Sequence, residues 1–197
     1  DGFPTTAGSY NTIHSGGGDA FVSIISPDGA GLADLAYSTL FGGTGADQPA
    51  GQIVFDGTYI HVASNTDSTD LPTTLGAYDS TYNLLQDVMY FVIDPASTGS
   101  ADLVYATYLG GDNFDLVTEI SLFNGRAILG GSSFSTDFPS TSNAFDPAPN
   151  SSGTAFLAWM SPDGNGVADL LYSTLSVNAR HVDGGVVYGT GNQGSLL

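Results

Sequence analysis

The stretch TDLPTTLGAYDSTY, residues 69–82, decides the fold because the chain contains two further versions of it. They read DGFPTTAGSYNT at 1–12 and TDFPSTSNAFDP at 136–147. The residues before the three prolines, Phe3, Leu71 and Phe138, are 68 and 67 positions apart. A chain that repeats at this interval is built from copies of one supersecondary unit, which covers its apolar faces by stacking on the next copy. We therefore expect a single domain over 1–197, with repeats at about 1–68, 69–135 and 136–197.

Each repeat contains four segments that predict β-strands. After the repeated stretch comes a β-branched and aromatic segment such as VMYFVID at 88–94. A turn rich in Pro and Gly leads to the most uniform segment, SADLVYATYL at 100–109, where a period of two places Leu103, Tyr105 and Thr107 on one face. Two further strands are joined by an Asx-Gly pair, which is typical of a two-residue type I′ hairpin. These pairs are Asp56-Gly57, Asn124-Gly125 and Asp183-Gly184.

A repeated, four-stranded antiparallel unit predicts an all-β fold, a β-propeller of about three blades. The opening stretch is then the long connection inside a blade, and its two large apolar residues are expected to pack as a pair under the loop. These pairs are Phe3 with Tyr10, Leu71 with Tyr78 and Phe138 with Phe145.

The order of the segments leaves half-blades at the two termini, with two strands in 20–40 and two in about 179–190. Closure within one chain would give three blades, fewer than the typical four to eight. Another copy could complete the half-blades, in a ring of two chains or in a head-to-tail filament. The alternative is that the sequence is an excerpt from a longer propeller. Both interpretations stay open on the sequence alone.

The charge is strongly one-sided, with 20 acidic residues, two arginines, no lysine and a net charge of -18. Such a surface repels nucleic acids and anionic lipids, so cations and neutral glycans are the better partners. No apolar run approaches the roughly 20 residues of a membrane span. Only 11% of residues are charged, and solubility resting on Ser, Thr, Asn and Gly favours an extracellular or cell-surface location. The absence of cysteine excludes disulfides and thiol catalysis.

The repeats resemble a known family, the SBBP repeats of bacterial and archaeal proteins, which are named for a seven-bladed β-propeller. The resemblance is carried by DFPST, DLPTTLGAY, GGGDAFVSIISPDG, LVYATYLGG followed by Asp115, and the Asx-Gly hairpin. It covers essentially the whole chain and implies a propeller in a secreted or surface protein, without a defined chemistry. The third repeat departs from the pattern, since STLSVNARH stands where the second repeat has TYLGGDNFD.

Six aspartates are candidate ligands for calcium, a hard cation that takes six to eight oxygen atoms. They lie among Ser, Thr and Gly, either before the repeated proline or after the Gly-Gly of the fourth strand. A capping role in loops is the alternative, which the absence of a D-x-[DN]-x-[DN]-G loop favours. The six residues are Asp67, Asp70, Asp137, Asp47, Asp112 and Asp115.

Three other features of the sequence carry predictions of their own. Asp34, Asp102 and Asp169 begin the fourth strand of each repeat, where we expect them to discourage edge-to-edge pairing of an outer strand. His61 takes the place of Leu129 in the next repeat, which predicts a packing position in a strand. Asn150 begins a tripeptide typical of N-glycosylation.

No motif of a hydrolase, a nucleotide-binding protein or a metalloprotease is present in the sequence. We therefore expect a protein that is not an enzyme: an extracellular, self-assembling structural subunit whose half-blades are completed by a neighbouring copy. The alternative function is a ligand-binding propeller that recognises glycans or proteins through its loops.

Overall fold

The computed structural model describes residues 2–48, 52–148, 153–176, 179–183 and 186–189. Within these ranges the regular structure is β, apart from three short 3₁₀ turns at Gly31–Asp34, Gly99–Asp102 and Gly166–Asp169. The strands are β1 (Ala20–Ile25), β2 (Leu35–Phe41), β3 (Asp47–Gln48), β4 (Ile53–Phe55), β5 (Ile60–Thr66), β6 (Asp87–Ile93), β7 (Leu103–Leu109), β8 (Asp115–Phe123), β9 (Arg126–Ser133), β10 (Thr154–Met160), β11 (Leu170–Ser176), β12 (Ala179–Asp183) and β13 (Val186–Gly189).

The strands form antiparallel sheets that follow the repeats. The N-terminal sheet is β1–β2, the middle sheet is β5–β6–β7 with β3 and β4 both paired to β5, and the third sheet is β8–β9–β10–β11. The C-terminal strand pair is β12–β13. The prediction of an all-β, antiparallel architecture is confirmed.

The sheets pack face to face in the order of the sequence. One apolar cluster joins the N-terminal sheet to the middle sheet, and a second joins the middle sheet to the third. Strand β6 serves both, because Met89 and Phe91 belong to the first cluster while Tyr90 and Val92 belong to the second. Alternate residues of a strand point to opposite faces, so a strand buried on both faces is apolar throughout.

An equivalent bulge occurs in all three sheets and changes the predicted faces. In the middle sheet, Val92 is opposite Tyr105 and Ile93 is opposite Leu103, so one residue of β7 is left over. Leu103 consequently packs towards the N-terminal sheet and Tyr105 towards the third sheet. The prediction that Leu103 and Tyr105 share a face is wrong, because a strict period of two does not pass through a bulge.

The repeated Pro-Thr stretch connects two clusters. Leu71 is buried in the cluster between the N-terminal and middle sheets, whereas Tyr78 packs against the cluster between the middle and third sheets. The expected pairing of these two side chains is therefore wrong, although both are packing residues. Phe138 is buried in the equivalent way, and Phe145 is 70% exposed.

The hairpins differ in length between repeats. Asn124 and Gly125 have φ values of 52° and 74° and form the predicted type I′ turn. The first hairpin is longer, because the Asp56 carboxylate accepts the N–H groups of Thr58 and Tyr59 at 2.7 and 2.6 Å. In the sheet register His61 consequently matches Ile128, one position away from its sequence alignment with Leu129.

No helix in the described parts of the chain is long and apolar enough to cross a membrane.

Candidate functional site

The polar residues of the repeats gather where one sheet meets the next. Two equivalent segments, residues 42–47 and 110–115, follow the outer strands β2 and β7 and are called the glycine loops below. In the first loop, Asp47 is buried and accepts the Gly43 N–H at 2.8 Å, the Ser68 hydroxyl at 2.9 Å and the Thr66 hydroxyl at 2.5 Å. In the second, Asp115 accepts the Gly111 N–H and the Ser135 hydroxyl, each at 2.7 Å.

Of the other four calcium candidates, three bind the glycine loops from outside and Asp112 is part of the second loop. Asp70 accepts the N–H and hydroxyl of Thr44 at 2.8 and 3.0 Å, and Asp67 accepts the Ala46 N–H. Asp137 accepts the Asp112 N–H at 2.7 Å. Asp112 in turn accepts the N–H and hydroxyl of Thr136 at 2.8 and 2.7 Å. The carboxylates thus accept hydrogen bonds from loop N–H groups. This is the loop-capping role that was the alternative to calcium binding.

Glycine is required in these loops because the carboxylates approach the backbone closely. A Cβ atom on Gly43 would lie 2.4 Å from an oxygen of Asp70, and one on Gly111 would lie 2.3 Å from an oxygen of Asp137. The Gly-Gly pair and the aspartate 26 or 27 positions later therefore form one structural unit.

Two further aspartates were not singled out by the sequence. Asp19 directly precedes β1 and Asp87 is the first residue of β6, and each approaches the same glycine as a carboxylate of the loop. A Cβ on Gly110 would lie 2.3 Å from Asp87 Oδ1 and 3.0 Å from Asp115 Oδ2. The recurrence of Asp19 and Asp87 at a spacing of 68 was the available signal.

Burial raises the pKa of three buried carboxyls in these loops, those of Asp47, Asp87 and Asp115. The pKa of Asp87 rises to about 7, chiefly through desolvation, with like charge from Asp115, Asp79 and Asp137 adding to it. Desolvation also raises the pKa of Asp115 and that of Asp47. One oxygen of Asp87 accepts the Asn83 N–H at 2.9 Å, and the other is buried without a partner in the described chain. A bound proton on Asp87 relieves the repulsion between two carboxyls that share one glycine.

No three histidine, aspartate or glutamate side chains of the described residues are placed to hold a metal ion together. Binding of calcium by the six aspartates stays a prediction. Asn150 lies outside the described residues.

Tyrosines connect each sheet to the aspartate that ends the 3₁₀ turn of the following sheet. The Tyr37 hydroxyl, in the N-terminal sheet, donates to Asp102 of the middle sheet at 2.9 Å. One repeat later the Tyr105 hydroxyl interacts with Asp169 of the third sheet, and burial together with that carboxylate raises the pKa of Tyr105. Asp102 and Asp169 are fully buried. The prediction that they protect an exposed edge is wrong, because each carboxylate lies between two sheets.

His61 has the predicted packing role. Its ring is buried, with Nδ1 2.9 Å from the Tyr90 hydroxyl and Nε2 3.3 Å from an oxygen of Asp56. Desolvation lowers the pKa of His61.

A pocket of about 500 Å³ opens on the face of the third sheet that points away from the middle sheet. Its lining includes Phe123, Leu157, Trp159 and Tyr172. The indole N–H of Trp159 is buried and has no acceptor among the described residues.

Comparison with protein-family models and with curated proteins finds no match to this chain.

Proposed function

We propose that this chain is a structural, self-assembling repeat module of β-propeller type, working outside the cell or on its surface rather than as an enzyme. Its incomplete sheets are completed by a neighbouring copy. The geometry of the recurring polar residues supports a structural role, since they bind loop amides or connect sheets. The one-sided charge and the resemblance to SBBP repeats support the location.

The open edge of β1 is the observation that carries the proposal. In the middle and third sheets, β6 and β10 each pair with strands on both sides. Strand β1 pairs with β2, and its other edge has no partner strand in the described chain. Beside that edge lies a groove of about 470 Å³, lined by Phe21, Ser23, Ile53 and Val62 among others. An apolar groove along an unpaired edge is suited to receive a strand.

Apolar side chains of β4 beside this groove are also exposed to solvent. Ile53 and Phe55 of β4 are 54% and 60% exposed, whereas Ile120, which matches Ile53 in the sheet register, is 3% exposed. Ile120, in β8, is covered by strands of the middle sheet, chiefly β5. The groove therefore lacks the hairpin that forms the first two strands of a complete sheet, and β12–β13 is a hairpin of that kind.

The two complete sheets give the register of the proposed contact. His61 is opposite Val92 in the middle sheet, and Ile128 is opposite Trp159 in the third. Tyr188 takes the place of Ile128, because Asp183 pairs with Val186 as Phe123 pairs with Arg126. Ile24 takes the place of Trp159, since it is opposite Tyr37 as Trp159 is opposite Tyr172. Transferred to the ends, this register places Tyr188 of β13 opposite Ile24 of β1 in the next copy. Strand β12 would then lie over β4 of that copy.

Disulfide cross-linking tests this arrangement, because the chain has no cysteine of its own. We expect the I24C/Y188C double variant to form a ladder of linked chains on oxidation, seen by non-reducing electrophoresis. The I24C/V187C variant is the matched control, since adjacent positions of a strand alternate between its two faces. A monomeric disulfide in I24C/Y188C would show closure within one chain, and no cross-link at all would contradict the proposed register. Electron microscopy of the linked material separates rings from filaments.

A further inference from the structure

The stacked sheets leave one tyrosine and one aspartate without the partner that their equivalents have. Tyr37 and Tyr105 each meet an aspartate of the following sheet. Tyr172 is the equivalent tyrosine of the third sheet, since it is opposite Trp159 as Tyr105 is opposite Val92. The Tyr172 hydroxyl accepts the Phe145 N–H at 2.9 Å, and no acceptor for its proton is found in the described chain.

The aspartate that lacks a tyrosine partner is in the N-terminal sheet, at the other end of the stack of sheets. Asp34 ends the first 3₁₀ turn, as Asp102 and Asp169 end the second and third. Unlike them it is not buried, and its carboxylate accepts the Ala30 N–H at 2.7 Å within its own turn. One donor and one matching acceptor therefore remain on opposite faces of the molecule.

The apolar surfaces around these two residues also match. Phe21, which is 51% exposed and packs against Phe3 with ring centroids 4.4 Å apart, occupies the register position of the fully buried Met89 and Phe156. Met89 and Phe156 each face the sheet that precedes their own. The Trp159 pocket is on the other face of the third sheet, which corresponds to the face that a following sheet covers in the first two sheets.

At the centre of each interface, one sheet contributes a larger side chain and the other a smaller one. Ile24 and Phe91 belong to the cluster between the N-terminal and middle sheets, and Val92 and Ala158 belong to the next cluster. The residues in the same positions on the two exposed faces are Trp159 and Ser23. The largest of these side chains would thus meet a small one, which is the complementarity that close packing requires.

We propose that the N-terminal sheet of a second copy docks on the third sheet, with its Asp34 accepting a hydrogen bond from Tyr172 and its Phe21 covering the Trp159 pocket. This inference rests on the proposed self-assembly and identifies the face through which it occurs. The contact repeats the two interfaces inside the chain, so it adds copies head to tail.

Trp159 reports on this contact directly because it is the only tryptophan in the chain. We expect its emission to shift to shorter wavelength as protein concentration rises, in parallel with the increase in mass measured by sedimentation velocity. The Phe21→Asp variant should remain monomeric and keep the emission of the dilute protein. Phe21 is half exposed in one copy, so circular dichroism should show this variant to be folded.

Tyr172→Phe and Asp34→Asn test the hydrogen bond. Each should weaken association about tenfold, the usual effect of losing a hydrogen bond to a charged group, and the double variant should be no weaker than either single variant. Asp28→Asn is the control, since it removes an equal charge from the same exposed turn and should leave association unchanged.

Failure of this inference is distinguishable from failure of the proposed function. A chain that associates with unchanged Trp159 emission, and is insensitive to Phe21→Asp, Tyr172→Phe and Asp34→Asn, would overturn the docking face while self-assembly stands. A chain that stays monomeric at every concentration would overturn both. A short-wavelength emission in a strictly monomeric protein would show that the two faces meet within one chain.

Discussion

At the scale of single residues, the most unusual feature is a carboxyl pair buried without a cation. Asp87 and Asp115 approach the same glycine, and the described chain places no arginine or lysine between them. A carboxyl whose pKa is raised by folding binds more protons in the folded than in the unfolded chain. Its contribution to stability is therefore complete below the ordinary aspartate pKa and is lost as the pH rises through the folded value. For Asp87 this interval runs from about 4 to about 7.

We accordingly predict that the protein is more stable at pH 5.5 than at pH 8, with Asp87 contributing about 2 kcal/mol of the difference. Urea denaturation at the two pH values measures it. Asp87→Asn should reduce the difference, because a neutral amide cannot ionise; the third repeat already has neutral Thr154 at this position. Asp28→Asn, at an exposed site, should leave the difference unchanged. A wild-type protein that is more stable at pH 8 would contradict the assignment of a proton to this pair.

At the scale of the strands and sheets, the sequence predicted what is local and repeated. Apolar segments, the Asn124-Gly125 turn and the four-strand unit follow from propensity and spacing, and they are present in the structure. The bulge between Leu103 and Tyr105 was not predictable from a period of two, because Leu103, Val104 and Tyr105 are all apolar and the extra residue leaves no visible break in the pattern.

The contacts between sheets were the part that the sequence did not predict. Asp102 and Asp70 looked alike as acidic residues at loop positions, yet Asp102 is buried against Tyr37 while Asp70 binds the exposed Thr44 amide. The partner of each aspartate depends on how two sheets pack. Tyr37 and Asp102 are 65 positions apart in the sequence, and Thr44 and Asp70 are 26 positions apart, so neither contact could be inferred from local sequence.

The connection between Tyr105 and Asp169 gives a prediction at this scale. Tyr105→Phe should lower the free energy of unfolding by about 2 to 3 kcal/mol, because it removes a donor next to a fully buried carboxylate. Tyr172→Phe in dilute solution is the matched control. Both tyrosine hydroxyls accept a loop N–H, from Tyr78 and Phe145 respectively, but only Tyr105 also meets an aspartate of its own chain. Equal destabilisation of the two variants in chemical denaturation would show that the aspartate contributes nothing.

At the scale of the whole molecule, two forces act against each other during assembly. The exposed faces around Phe21 and Trp159 favour association by burying apolar surface. Each copy also carries a net charge of -18, and like charge opposes the approach of a second copy at every orientation. The screening length is about 30 Å at 0.01 M salt and about 8 Å at 0.15 M, so salt removes most of the long-range repulsion and little of the apolar attraction.

Association should therefore strengthen as salt increases, with the dissociation constant falling between 0.01 and 0.15 M sodium chloride at a fixed pH. Sedimentation velocity over a concentration series at each salt level gives this constant, and Trp159 emission gives it independently at the docking face. The effect should lie mainly in the association rate, because repulsion acts on the encounter while the docked faces set dissociation. Association that weakens with salt would instead require attraction between opposite charges. The arginines would have to supply it, since Arg126 and Arg180 are the only two basic residues other than histidine. Replacing Arg126 with Gln would then weaken assembly strongly and remove its dependence on salt. Under repulsion between acidic copies, the same change adds little to a net charge of -18, so it should weaken assembly slightly at low salt and leave it unchanged at 0.15 M.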